Sequence, residues 1–189
     1  GRSAGLQRTT EELLSLAEGS PAGPVPLLAV AGASMHRGDA KVALAMLNRA
    51  EEQMLQRTAG TFEADVLRAI SAAQTGALDE ALAALDQITE PARQHPFART
   101  ASALVASLAG DPVEAVREAE LVASTTGSTY LDRAIAAVAA AGAHAALDDP
   151  HAATEALDTA LQECLVIGDV VAIALLQRTY LHVAGVAHA

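Results

Sequence analysis

Enzymes need nucleophiles, acids and bases, or metal ligands at workable spacings, so the residues able to do chemistry come first. Six histidines are present: His36, His95, His144, His151, His182 and His188. No two form a His-x-x-x-His pair, which would place both imidazoles on one helix face, and no Glu-x-x-His step of a di-iron bundle occurs. His144 and His151 straddle one predicted inter-helix turn, which accounts for their nearness in sequence. Cys164 is the single cysteine, ruling out an intramolecular disulfide and a thiolate zinc site. It reads as a small buried hydrophobe. The stretch from Gly32 to Gly38 lacks the Lys-Ser/Thr of a phosphate loop and follows no predicted strand. No Gly-x-Ser-x-Gly elbow is present, although a Ser-His-Asp set that meets only in space leaves no linear trace. Glu51 with Glu52, Asp79 with Glu80, and Glu118 with Glu120 fall on predicted helices whose apolar faces lie elsewhere, as solvated faces do. The sequence therefore predicts a non-catalytic protein with no cofactor and no metal.

Composition narrows the remaining classes. The chain has 189 residues, of which 51% are hydrophobic, yet it holds two Tyr, two Phe and no Trp. About a quarter of the residues are alanine. Twelve basic residues face 23 acidic ones, for a net charge of −11, and Lys41 is the one lysine. Phosphate backbones demand the opposite balance, so nucleic-acid binding through this segment is not expected. Apolar content this high also argues against disorder. The longest weakly charged stretch, Gly19 to Met35, is interrupted by Pro21, Pro24 and Pro26 and is too short to span a bilayer. No basic segment leads into an apolar run at the start. A cytoplasmic protein without membrane contact is the expectation.

Elements that could position any site emerge from an internal repeat. Four segments align without gaps: Gly38-Asp-Ala-Lys-Val-Ala43, Gly76-Ala-Leu-Asp-Glu-Ala81, Gly110-Asp-Pro-Val-Glu-Ala115 and Asp148-Asp-Pro-His-Ala-Ala153. Their starts lie 38, 34 and 38 residues apart. Seven residues before each start stand Ala31, Ala69, Ala103 and Ala141; five after stand Ala43, Ala81, Ala115 and Ala153. Leu47, Leu85, Ala119 and Leu157 follow at nine, and Ala50, Ile88, Val122 and Ala160 at twelve. Steps of four and three residues trace one face of a helix. Asp39, Asp111 and Asp149 suit the N-cap, and Pro112 and Pro150 the first helical position. Gly38, Gly76 and Gly110 suit the left-handed residue that ends the preceding helix. Each start thus predicts a tight turn between antiparallel helices, with alanines on both sides allowing close approach.

A period near 34, a small residue late in the first helix, a Gly-Asp turn and an early Ala in the second resemble tetratricopeptide (TPR-like) repeats. Gly76-Ala-Leu-Asp-Glu-Ala-Leu-Ala-Ala-Leu comes nearest the family pattern. The likeness runs from about Pro24 to Gly185. It departs in lacking most first-helix aromatics, in its two 38-residue periods, and in placing a proline after the second helix clearly only at Pro91. Ala-rich, degenerate versions resemble the helical-repeat regions of large bacterial signal-transduction ATPases, cyclases and transcription regulators. The resemblance implies an all-α fold, a right-handed α-solenoid of about ten helices in a TPR-like superhelix. Its expected parts are a half-repeat helix over 10–18, hairpins over about 25–57, 62–90, 96–125 and 129–167, and a terminal helix over 170–184. The half-units at both ends, and the opening Gly1-Arg2-Ser3, suggest a piece of a longer protein.

In that family the first helices line a concave groove that holds a partner peptide or helix. Distance from each turn places Leu28, Met35, Val66, Ile70, Phe97, Leu104, Leu108, Ile135 and Val138 along it, flanked by Arg68, Arg99 and Arg133. This apolar row is either an exposed partner-binding groove or ordinary core, since an error of one residue rotates a helix by about 100°. The leading expectation is a protein–protein interaction scaffold or regulatory module. Its partner would be a protein, a peptide or another domain of the parent chain, and the terminal helices offer a route to homo-oligomers. The alternative is a ligand-sensing regulatory domain of a bacterial signalling or transcription-regulator protein.

Overall fold

A computed structural model describes residues 24–55 and 62–186. Nine α-helices follow one another there: α1 (Val25–His36), α2 (Ala40–Leu55), α3 (Phe62–Thr75), α4 (Leu78–Gln87), α5 (Pro96–Ala109), α6 (Pro112–Ser124), α7 (Tyr130–Ala146), α8 (Pro150–Ile167) and α9 (Val170–Val186). A 3-10 turn, Ala92–Gln94, precedes α5, and no strand occurs among the described residues. The predicted helix over 10–18 lies outside them, as do the last residues of the first hairpin.

Tight turns join α1 to α2, α3 to α4, α5 to α6 and α7 to α8. Each odd-numbered helix also packs on the next odd-numbered one, so α1, α3, α5, α7 and α9 form one continuous layer. Each even-numbered helix packs on its hairpin partner and on the odd-numbered helix that follows. This is an α-solenoid, in which every unit buries its apolar face against its neighbours.

Local chemistry explains the turns. Gly38, Gly76 and Gly110 sit at φ of 77°, 82° and 84°, the left-handed region that glycine enters without penalty. After each, an amide reaches back to close the helix end, as Asp111 N–H does to Ala106 C=O at 2.9 Å. The side chains of Asp111 and Asp149 accept from the amides of Glu114 and Ala152 at 3.1 and 3.0 Å, capping α6 and α8. The fourth turn places Asp148, at φ 64°, where the other three carry glycine. A side chain is strained there. Asp148→Gly is expected to stabilise the fold by about 0.5–1 kcal/mol, raising Tm by about 2 °C in a thermal melt. An unchanged or lower Tm would show that Asp148 gains something from the conformation it holds.

Packing follows the repeat closely. All eight alanines at seven before and five after the turns are fully buried, at 0% exposure. Of the eight residues at nine and twelve after, seven are buried, and Leu85 on α4 is the half-buried exception. Cys164 on α8 is also fully buried. Burial, together with the negative charges of Asp169 and Glu163, pushes its thiol pKa up and keeps the unreactive protonated form. Labelling of Cys164 by a disulfide reagent is expected to track global unfolding; a fast phase in native buffer would contradict its enclosure.

The ends of the described array meet. His36, at the end of α1, contacts Asp169, in the turn before α9, with Nε2 to Oδ2 at 2.9 Å across 133 residues of sequence. Tyr130 Oη–H donates to the same oxygen at 2.9 Å. The other oxygen accepts from the amides of Val171 and Ala172 at 3.0 and 3.1 Å, capping α9. Burial raises the Asp169 pKa, but the Ala172 amide, the Tyr130 hydroxyl, the charge of His36 and the Val171 amide outweigh it. Together they hold the carboxyl below the ordinary aspartate value.

Candidate functional site

The apolar row first expected along a groove is mostly interior. Val66 and Ile70 are completely buried, and Met35, Leu104 and Ile135 are 3%, 8% and 6% exposed. Leu28, Phe97 and Val138 are half-buried and packed against the core, leaving Leu108 as the exposed member. The row therefore offers no open apolar face. The reason is coordination: α3, for example, packs against α1, α2, α4 and α5. A helix with four neighbours buries a wide arc, so its apolar residues exceed what a single contact stripe would need.

The three arginines expected to flank a groove instead tie first helices to second helices. Arg68 donates to Asn48 Oδ1 at 2.8 Å and Glu51 Oε2 at 2.9 Å on α2, and lies 3.5 Å from Glu80 on α4. Arg99 donates to Glu118 Oε2 at 3.1 Å on α6. Arg133 forms a two-pronged pair with Glu163 on α8. Hydrogen bonds from Arg133 hold the Glu163 carboxyl below its ordinary pKa. Side by side in an antiparallel hairpin lie residues at similar distances from the turn. Arg133 and Glu163 each stand fifteen from Asp148, a signal readable in the sequence.

Where Arg99 reaches α6, the second-helix layer opens. Among the described residues no second helix packs extensively on the next one. An opening lies between α4 and α6, where α4 has ten residues while α2, α6 and α8 have sixteen, thirteen and eighteen. Pro91 accounts for the early stop: continued as helix, its ring would meet the carbonyl of Gln87. The chain turns extended at Ile88, and Arg93 covers the loose carbonyls, donating to Ile88 C=O at 2.5 Å. The result is a trench of about 620 Å³ with α4 and α6 as walls, α5 as floor and the 3-10 turn closing one end.

The trench is amphipathic. Leu82, Leu85, Ala98, Val105 and Ala106 supply apolar lining, and Leu82 is 46% exposed. The exception in the repeat, Leu85, is thus accounted for: it lines this opening. Three arginines and five carboxylates complete the walls. Glu118, only 6% exposed, bridges two of the arginines, taking Arg99 on one oxygen and Arg117 on the other at 2.5 Å. Arg117 also holds Glu114, through Nε to Oε2 at 2.7 Å, and this bond lowers the Glu114 pKa. Asp86 and Glu90 stand exposed at the mouth.

A second cleft, about 230 Å³, lies between α6 and α8 over α7. Ala119, Ala136, Ala140 and Ala156 line it, with the Arg133–Glu163 pair and His144 at its polar edges. Exposed apolar residues also gather at the α8–α9 corner, where Leu165, Val166, Ile167 and Val170 are 49%, 89%, 50% and 67% exposed. Among the described residues no three His, Cys, Asp or Glu side chains converge as metal ligands, and no helix is long and apolar enough to cross a membrane. No protein-family model, curated protein or solved structure matches the chain.

Proposed function

We propose that the chain is a non-catalytic, helical-repeat interaction module, working in the cytoplasm, that receives a segment of a partner protein or of its own parent chain. The α4–α6 trench is the docking surface in this reading, in place of a groove lined by the first helices. One observation carries it: α4 is the shortest second helix among the described residues, and beside it the second-helix layer opens into a trench. The opening left there is apolar on its floor and charged on its rim, the usual division of a protein–protein interface. Its ion pairs already bond one another, which suits a recognition surface better than a reaction centre. The smaller α6–α8 cleft favours the second reading, a regulatory domain that senses a small apolar ligand.

The test places a photo-cross-linking residue at Leu82, in the trench, and separately at Leu181, an exposed position on α9, in the native host. Trench docking is expected to give a discrete adduct from Leu82 alone, with the cross-linked segment identified by mass spectrometry. Adducts equal at both positions, or absent at Leu82, would remove the trench as a docking surface.

A further inference from the structure

Resting on the trench as docking surface, we infer that its occupant is a cationic, aliphatic peptide segment, with lysine or arginine meeting Asp86 and Glu90 and aliphatic side chains lying on α5. The state of each charged group decides the sign of the occupant. Arg93 is engaged by the carbonyl of Ile88, and Arg99 by Gln94 C=O and Glu118. Arg117 is engaged by Glu114 and Glu118. An anionic segment that drew Arg99 or Arg117 toward itself would weaken the pairing of the buried Glu118 carboxylate, which both of them hold. A cation faces no such penalty. The Asp86 side chain is 82% exposed, with the Arg93 guanidinium no nearer than 3.8 Å, and Glu90 accepts one bond, from the Gln94 amide at 3.3 Å. Both can take a further donor without disturbing the Glu118 bridge, and the chain's net charge of −11 steers a basic partner inward.

Selection of a random twelve-residue peptide library on the intact chain tests the inference, with binding of the enriched peptides measured on three variants. Ser102→Tyr fills the floor; the Ser102 hydroxyl donates to Ala98 C=O on its own helix and, among the described residues, ties no second element, so circular dichroism should be unchanged. Leu82→Gln, at an exposed position, serves if that variant fails to fold. Asp86→Asn with Glu90→Gln removes the mouth charges. The expected peptides are rich in Lys, Arg and aliphatic residues and lose binding on the filled trench. They should weaken about three- to tenfold on the uncharged mouth at low salt, the difference shrinking in about 1 M salt. Trench-dependent peptides that are acidic, or indifferent to the mouth charges, would overturn the cationic occupant while leaving the trench standing. Enrichment of no trench-dependent peptide would overturn both.

Discussion

Val66→Glu is expected to destabilise the fold severely, whereas Leu108→Glu, drawn from the same apolar row, should leave stability nearly unchanged. Val66 lies on α3 with 0% exposure, enclosed by the neighbouring layers. A carboxyl group placed there loses its water and gains no partner, so it must be driven neutral at physiological pH. Adding the lost apolar burial brings the penalty to about 4 kcal/mol or more, a large part of a typical domain's stability of about 5–15 kcal/mol. Leu108 is 49% exposed near the α5–α6 turn, and a charge there stays in water. Its substitution should change stability by less than about 0.5 kcal/mol. Urea titrations followed by helical circular dichroism distinguish the two. A Val66→Glu protein with a wild-type midpoint would return the row to the surface.

That contrast marks where sequence stops informing. Turns were readable because their chemistry is local: a left-handed glycine, an aspartate cap and a first-position proline act within five residues of one another. The close-approach alanines were readable because the turn fixes their height on both helices. Which side of a first helix meets solvent was not, since the apolar residues of α3 satisfy four neighbours at once and carry no mark of which neighbour covers which. The trench was hidden for a different reason. It follows from one helix being short, and Pro91, noted as a family feature, is also what ends that helix before it can lie along α6. The arginine pairs fell between these cases. Arg68, Arg99 and Arg133 stood out as charges on apolar helices. The partner of Arg133 follows once its hairpin is folded on paper and distances from the turn compared, whereas Arg68 bonds Asn48 and Glu51 of the preceding hairpin, which its own turn does not point to.

Asp169→Ala is expected to cost about 2 kcal/mol at neutral pH, and the deficit should vanish in acid. The substitution removes the acceptor that caps α9, a loss of about 0.5–2 kcal/mol alone. It also strips a shared acceptor from Tyr130 and His36, residues on two other helices. The sign of the pH effect follows from the lowered carboxyl pKa. A group more acidic when folded contributes stability that is fully present above its unfolded pKa, near 3.8, and is lost as pH falls through its still lower folded value. Wild type and variant should therefore differ at pH 7 and converge well below 3.8. Tyr130→Phe, combined with Asp169→Ala in a double-mutant cycle, should show a coupling of about 0.5–1.5 kcal/mol at neutral pH. Its absence would reduce Asp169 to a helix cap. Its presence would mean that the carboxylate also ties α7 to the α8–α9 turn, 39 residues further along the chain, a link that a helix cap alone does not supply.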